Sequence, residues 1–248
     1  MHVLKTMGLD LQQKYIVKID SKIMFNRLLT ENDISVFAEI IQRENYSEKF
    51  KHKDLWNIPA GFVKWVSVLE EFKSIGKNNL KVIDLGTSTG VVPYIIASLG
   101  NNVTGIDIHY FDNWCPKNLI RMVIGDALLE LKEMEDGSVD VVTDLCAVHE
   151  FNPNSNSKYK NIGLKEVSDQ IHRVLKPGGK FLMSTDVSLV YPASQSGGFI
   201  LPEDVIEIVE TTGLRLTCPY KKEYEQFEHN PIYQSGIGLH IATFSFEK

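Results

Sequence analysis

An acid, two glycines and three small hydroxyl residues fall together in Asp84-Leu85-Gly86-Thr87-Ser88-Thr89-Gly90, directly after an apolar run. A strand running into such a turn lets backbone approach a ligand before the next helix begins. The helix N-terminus then offers free amides and a partial positive charge, which suits a carboxylate or phosphate. Asp84, just before the turn, suits an ammonium group on the same ligand. A plain tight turn between strand and helix accounts for the same residues without any ligand.

More residues of this kind follow at intervals. Asp107, followed by Ile108, ends the apolar run 103–108, 17 positions after Gly90. Asp126, followed by Ala127, closes a similar run and by itself reads as a helix cap. Asp144 ends 139–144, and His149 follows five residues later. An imidazole with a pKa of about 6.5 suits work as a general base, or is a surface or gate histidine. Cys146-x-x-His149-Glu150 has no second ligand cluster, so no metal is expected.

The elements that must position these residues follow from periodicity. Strands are expected over 80–85, 103–108, 119–124, 139–145 and 180–185, since these short apolar runs lack polar alternation. Helical patterns lie between them at 91–99, 127–134 and near 160–175. Strand–helix–strand order with right-handed crossovers gives an α/β, doubly wound, mostly parallel sheet. Pro202 suits the first turn of a helix over 202–212, which Gly213 stops. Strands over 214–220 and 238–246, with no helix between, are expected to run antiparallel and complete a seven-stranded sheet. Residues 1–78 read as an N-terminal helical extension or cap and 79–248 as the main domain. The extension is expected to hold one helix over 33–43 and another over 61–74, where Phe62, Trp65, Val66, Leu69 and Phe72 form a core stripe.

At this point the chain resembles the class I S-adenosylmethionine-dependent methyltransferases of small-molecule type. Their first motif, an acid followed by three alternate glycines, is matched by Asp84, Gly86 and Gly90. Ser88 stands for the middle glycine, with strain if that position needs positive φ. The resemblance covers 80–248 and implies a Rossmann-like methyltransferase fold with an antiparallel last strand. It implies S-adenosylmethionine as cofactor and S-adenosylhomocysteine as product, held by Asp84, Gly86, Thr87, Ser88, Gly90, Asp107, Ile108, Asp126, Ala127 and Asp144. Asp107 would take both ribose hydroxyls, as a carboxylate can. Asp126 and the next amide would meet the adenine edge, and Asp144 would lie beside the transferred methyl. Arg173-Val174-Leu175-Lys176-Pro177-Gly178-Gly179 resembles the structural turn before the fifth strand.

The expected activity is methyl transfer to a small molecule, a metabolite or sugar hydroxyl being the working acceptor. His149 is the candidate base. Glu150, Tyr191, Phe199 and Tyr233 are the candidate acceptor contacts, on loops where ligand sites collect in α/β sheets. A non-catalytic S-adenosylmethionine-binding protein remains an alternative. So does an NAD-dependent oxidoreductase with a degenerate Gly-rich loop, although Ser88 and Val91 stand where its second and third glycines belong. A Walker loop is excluded, because Val91 and Val92 follow Gly90.

The bulk numbers agree. Hydrophobic residues make up 43% and charged residues 23%, ordinary for a chain that buries a core. The formal charge of −6 shows no basic excess for nucleic acid. Amino-methylating nucleic-acid enzymes carry Asp/Asn-Pro-Pro-aromatic where this chain has Asp144-Leu145-Cys146-Ala147. No apolar run reaches the roughly 18 residues of a membrane span. Three scattered cysteines suit a reducing cytoplasm. The oligomeric state leaves no mark on the sequence.

Overall fold

Seven strands form one sheet in the order β3-β2-β1-β4-β5-β7-β6 in the computed structural model of the chain. The structure describes residues 64, 68–69, 71–88, 90–109, 119–151, 163–188, 200, 202–217 and 239–248. In chain order the elements are β1 (Lys81–Leu85), α1 (Val91–Ser98), β2 (Asn102–Asp107), β3 (Ile120–Ile124), α2 (Ala127–Glu133) and β4 (Val139–Leu145). A 3-10 turn at Val148–Phe151 leads on to α3 (Leu164–Val174), β5 (Leu175–Ser188), α4 (Pro202–Thr212), β6 (Arg215–Leu216) and β7 (Leu239–Glu247). β1 to β5 pair in parallel, and β7 runs antiparallel to both β5 and β6. Six strands therefore share one direction and only the last opposes them, as the Rossmann-like expectation required.

Unbroken apolar runs form the central strands because both sheet faces are covered. Ile83, Leu85, Val142, Phe181 and Met183 join one core cluster with Leu128 and Leu131 of α2, Val167 and Ile171 of α3 and Ile208 of α4. Val82, Val141 and Leu182 alternate with them, face the other way and are equally buried. α1 buries Val92, Ile95 and Ile96. Phe181 stacks on Phe246 with ring centroids 5.5 Å apart, joining β5 to β7 across the antiparallel seam.

Two expectations change. The fifth strand begins at Leu175, not Lys180, and swallows the Lys176-Pro177-Gly178-Gly179 turn as a bulge. Leu175 pairs with Val139 and Lys180 with Val141, so four residues lie opposite Asp140. Gly178 takes φ 74 there, and the Lys176 ammonium reaches Asp140 at 2.7 Å. The turn stays structural but belongs to the strand, because β4 captures the residues on both sides of it. β6 is short, spanning Arg215–Leu216, and 218–220 of the expected strand lie outside the described residues.

Of the N-terminal region, Lys64, Val68, Leu69 and 71–78 are described, helical as far as Ser74. Val68, Leu69 and Phe72 are buried, so this part of the 61–74 helix packs as core. The expected helix over 33–43, and Phe62, Trp65 and Val66, lie outside the described residues.

Candidate cofactor and methyl-transfer site

The carboxyl ends of β3, β2, β1 and β4 lie side by side, and each delivers one of the acids singled out above. Asp84 stands opposite Gly105 on β2 and Thr143 on β4. It is 1% exposed and accepts a 2.6 Å hydrogen bond at Oδ1 from the Thr143 hydroxyl. Burial pushes its carboxyl up to about 7, and the Asp107 charge adds to this, against hydrogen bonds from Thr143 and Thr87. An ionised Asp84 at neutral pH therefore calls for a cation.

The turn after β1 is built as its small residues required. Gly86, Ser88 and Gly90 take φ of 66, 51 and 78. Ser88 therefore sits in the left-handed region without a glycine's freedom, which is the strain its position implied. The Gly86 and Thr87 amides donate to the Ile106 carbonyl at 2.9 and 3.2 Å. At Gly86 a side chain is excluded twice, since an added Cβ would stand 2.5 Å from the Ala147 Cβ. Gly90 is the N-cap of α1 and brings no side-chain acceptor to the helix amides.

Asp107 is oriented by backbone. The Ser88 amide donates to its Oδ2 at 2.7 Å and the His109 amide to its Oδ1 at 2.9 Å. Each carboxylate oxygen keeps a second lone pair for a further donor. Ile108 beside it is 41% exposed, and Ile124 at the tip of β3 is 49% exposed. Asp126 caps α2, its Oδ1 accepting from the Leu128 and Leu129 amides at 2.9 and 3.3 Å. Those bonds leave the Ala127 amide, first in the helix, without an acceptor from within that helix.

Asp144 is the acid that β4 carries near its carboxyl end. It stands opposite Leu85, so alternation carries its side chain to the face opposite Asp84 and Thr143. Its Oδ1 accepts from the Ala147 and Val148 amides, both at 2.9 Å, and so shapes the turn after β4. Its Oδ2 is buried with no hydrogen-bond partner among the described residues. Burial pushes this carboxyl up to about 7 despite the two amides, with the Asp84 charge adding and the Lys64 charge opposing.

His149 is 7% exposed in a 3-10 turn, so it is no surface histidine. Its Nε2 lies 3.1 Å from Glu150 Oε1. The Cys146 sulfur lies 2.8 Å from the Lys64 ammonium and 3.6 Å from the Ser184 carbonyl. Cys146 and His149 thus face different partners, and no group of three or more metal-binding side chains occurs among the described residues. Tyr191, Phe199 and Tyr233 lie outside the described residues; His240 is in β7, paired with Val187. Lys64 was missed. It lies four residues before Val68 and eight before Phe72, so the helical period places it on the buried face.

The comparisons fall in with this geometry. A family model described as a methyltransferase domain matches residues 83–183, from β1 into β5. Over those residues the chain is similar to methyltransferase domains. A 1,6-didemethyltoxoflavin-N1-methyltransferase from Burkholderia thailandensis, solved with 1,6-didemethyltoxoflavin and S-adenosylhomocysteine, shares the fold. The two are 17% identical with TM-score 0.58, over 86% of this chain and 88% of that one. An S-adenosylmethionine-dependent methyltransferase from Archaeoglobus fulgidus is 17% identical with TM-score 0.54, over 82% and 98%. The [4+2]-cyclase SpnF is 13% identical with TM-score 0.52, over 69% and 75%. No curated protein matches the sequence. No helix among the described residues is long and apolar enough to cross a membrane.

The site's residues fit the cofactor. A buried carboxylate with no cation against it among the described residues, an amide-oriented carboxylate, an exposed isoleucine and a first-turn helix amide match an ammonium, a ribose diol and a purine.

Proposed function

We propose that the chain transfers a methyl group to a small-molecule acceptor, with a metabolite or sugar hydroxyl as the working class. The observation that carries this reading is the set Asp84, Asp107 and Asp126 at three adjacent parallel strand tips around a turn held at positive φ. In it Asp84 faces the ammonium of the cofactor, Asp107 the ribose hydroxyls, and Asp126 with the Ala127 amide the adenine. Gly86, Thr87, Ser88 and Gly90 supply backbone that a side chain would obstruct. Ile108 covers the purine with apolar surface, and Asp144 shapes the neighbouring turn. Residues 79–248 form the cofactor-binding domain, and 1–78 are an extension whose helical end is packed into it. The Burkholderia neighbour, which holds a small molecule beside S-adenosylhomocysteine, supports the acceptor class.

S-adenosylmethionine supplies an activated methyl, so the protein's share is orientation and exclusion of water. His149 is the base that takes the acceptor's proton. Its Nε2 lies 3.1 Å from Glu150 Oε1, so the carboxylate stands beside the ring. Glu150 then holds the ring's tautomer and steadies its charge once protonated.

Thermal unfolding with S-adenosylhomocysteine, NAD or ATP tests the cofactor site. A ligand at one hundred times its dissociation constant adds about 2.7 kcal/mol, or about 5–10 °C in a chain of this size. S-adenosylhomocysteine should produce that rise and NAD should not. The opposite result returns the site to a dinucleotide enzyme.

A further inference from the structure

We propose that Cys146 and Lys64 form a peroxide-modification site, in which the Cys146 sulfur, held 2.8 Å from the Lys64 ammonium, is oxidised and then closes onto the lysine nitrogen. This chemistry goes beyond methyl transfer and holds whichever ligand the turn after β1 takes.

Three observations meet at the pair. Nitrogen–oxygen hydrogen bonds run at about 2.7–3.2 Å and sulfur is the larger atom, so 2.8 Å is the close approach of a charge-assisted bond. Lys64 is 8% exposed, and an ammonium so far out of water is stabilised by an anion in contact with it. A thiolate is such an anion, and it is the nucleophilic form of cysteine. The Ser184 carbonyl, 3.6 Å from the same sulfur, favours the thiol instead, but S–H is a weak donor and the contact is long. Cys146 is half-buried, which leaves its sulfur open to a molecule as small as hydrogen peroxide.

Both atoms are held from behind. Cys146 takes φ 66, its amide donates to the Ser184 carbonyl at 3.1 Å, and the next two amides are tied to Asp144. Lys64 shares a helix stripe with the buried Val68 and Phe72. The nitrogen therefore stands beside the sulfur before any reaction, as an intramolecular reagent. The thiolate attacks one peroxide oxygen; an S–O bond forms, the O–O bond breaks, and sulfur gives up an electron pair. A sulfenic acid and hydroxide result, and the hydroxide takes one ammonium proton and leaves as water. The freed amine attacks sulfur, an S–N bond forms and the S–O bond breaks. The departing hydroxide takes a second proton from the nitrogen. Ammonium, thiolate and hydrogen peroxide thus give the S–N link and two waters, the condensation with nitrogen that sulfenic acids undergo. A thiol attacking the linked sulfur reverses it.

The test uses the full chain carrying Cys115→Ser and Cys218→Ser, which leaves Cys146 as its one thiol. Hydrogen peroxide, then digestion and mass spectrometry, should give a species joining the Lys64 and Cys146 peptides, lighter than their sum by two hydrogens. The linked chain should melt about 5 °C or more higher, because the link closes a loop of 82 positions. Dithiothreitol should undo both effects. Lys64→Arg keeps the charge without a nucleophilic amine, so Cys146 should stop at a sulfenic acid trapped by dimedone. Lys64→Met removes charge and amine, and sulfenic acid formation at pH 7 should slow about five-fold or more. Oxidation of Cys146 in the parent chain with Lys64 unlinked overturns the proposal, and so does no oxidation. Equal oxidation rates in the parent and Lys64→Met overturn it as well; should Lys64→Met not fold, the parent and Lys64→Arg decide.

Discussion

Gly86→Ala separates two costs that a single glycine hides. Gly86 holds φ 66, where a side chain is strained by about 1–2 kcal/mol. An added Cβ would also stand 2.5 Å from the Ala147 Cβ, and overpacking of this kind costs about 1–3 kcal/mol. The expected loss is about 2–5 kcal/mol in all. Gly100 is the internal control. It ends α1 with φ 86 and nothing within 4 Å of an added Cβ, so Gly100→Ala pays only the backbone term. Thermal or urea unfolding of the two variants should differ by about 1–3 kcal/mol, or about 2–12 °C. Adding Ala147→Gly to Gly86→Ala should recover the overlap and leave the backbone cost. Since the Ala147 amide donates to Asp144, Gly86→Ala should also weaken S-adenosylhomocysteine binding, read by calorimetry. Equal losses at Gly86 and Gly100, or no recovery with Ala147→Gly, would refute the argument.

Three further outcomes follow from the site. Asp84 is raised from 3.8 to about 7, so the stability it lends is fully present below about pH 4 and lost as pH rises toward 7. Asp84→Asn should therefore melt higher than wild type at pH 8 and close to it at pH 4, while losing the stabilisation by S-adenosylhomocysteine. A variant that melts lower at pH 8 contradicts the burial argument. Ile108→Ser changes an exposed side chain, so ligand-free stability should stay within about 0.5 kcal/mol. Its affinity for S-adenosylhomocysteine should drop about ten-fold or more, since covering an isoleucine is worth about 1.5–3 kcal/mol; unchanged affinity removes Ile108 from the site. His149→Ala should lower turnover by about 10²–10⁴ at saturating acceptor, with cofactor affinity kept. Intact turnover would remove the base assignment, and Glu150→Gln should give a smaller loss in the same direction.

Much of the fold was legible in the sequence. The alternation of apolar runs with helical periods, the turn chemistry at Gly86–Ser88–Gly90 and an acid at the end of each run are all local. Strand direction follows from them, because a helix between two strands of one sheet leaves almost no choice but a parallel crossover. Asp126 as a helix cap is likewise local, decided by the Leu128 and Leu129 amides two and three residues on.

What escaped depends on partners distant in the chain. The length of β5 was set by β4, which pairs Leu175 with Val139 across a bulge that periodicity reads as a turn. The face taken by Asp144 was fixed by its register with Leu85. His149 reads as a loop residue until packing buries it. Lys64 meets Cys146 from 82 positions away, and no local pattern announces that contact. The sequence by itself determined which groups could bind and transfer, because side-chain chemistry and short-range geometry belong to each segment alone. Only the tertiary structure decided which charges stand together out of water, because desolvation and Coulomb attraction act through space and not along the chain.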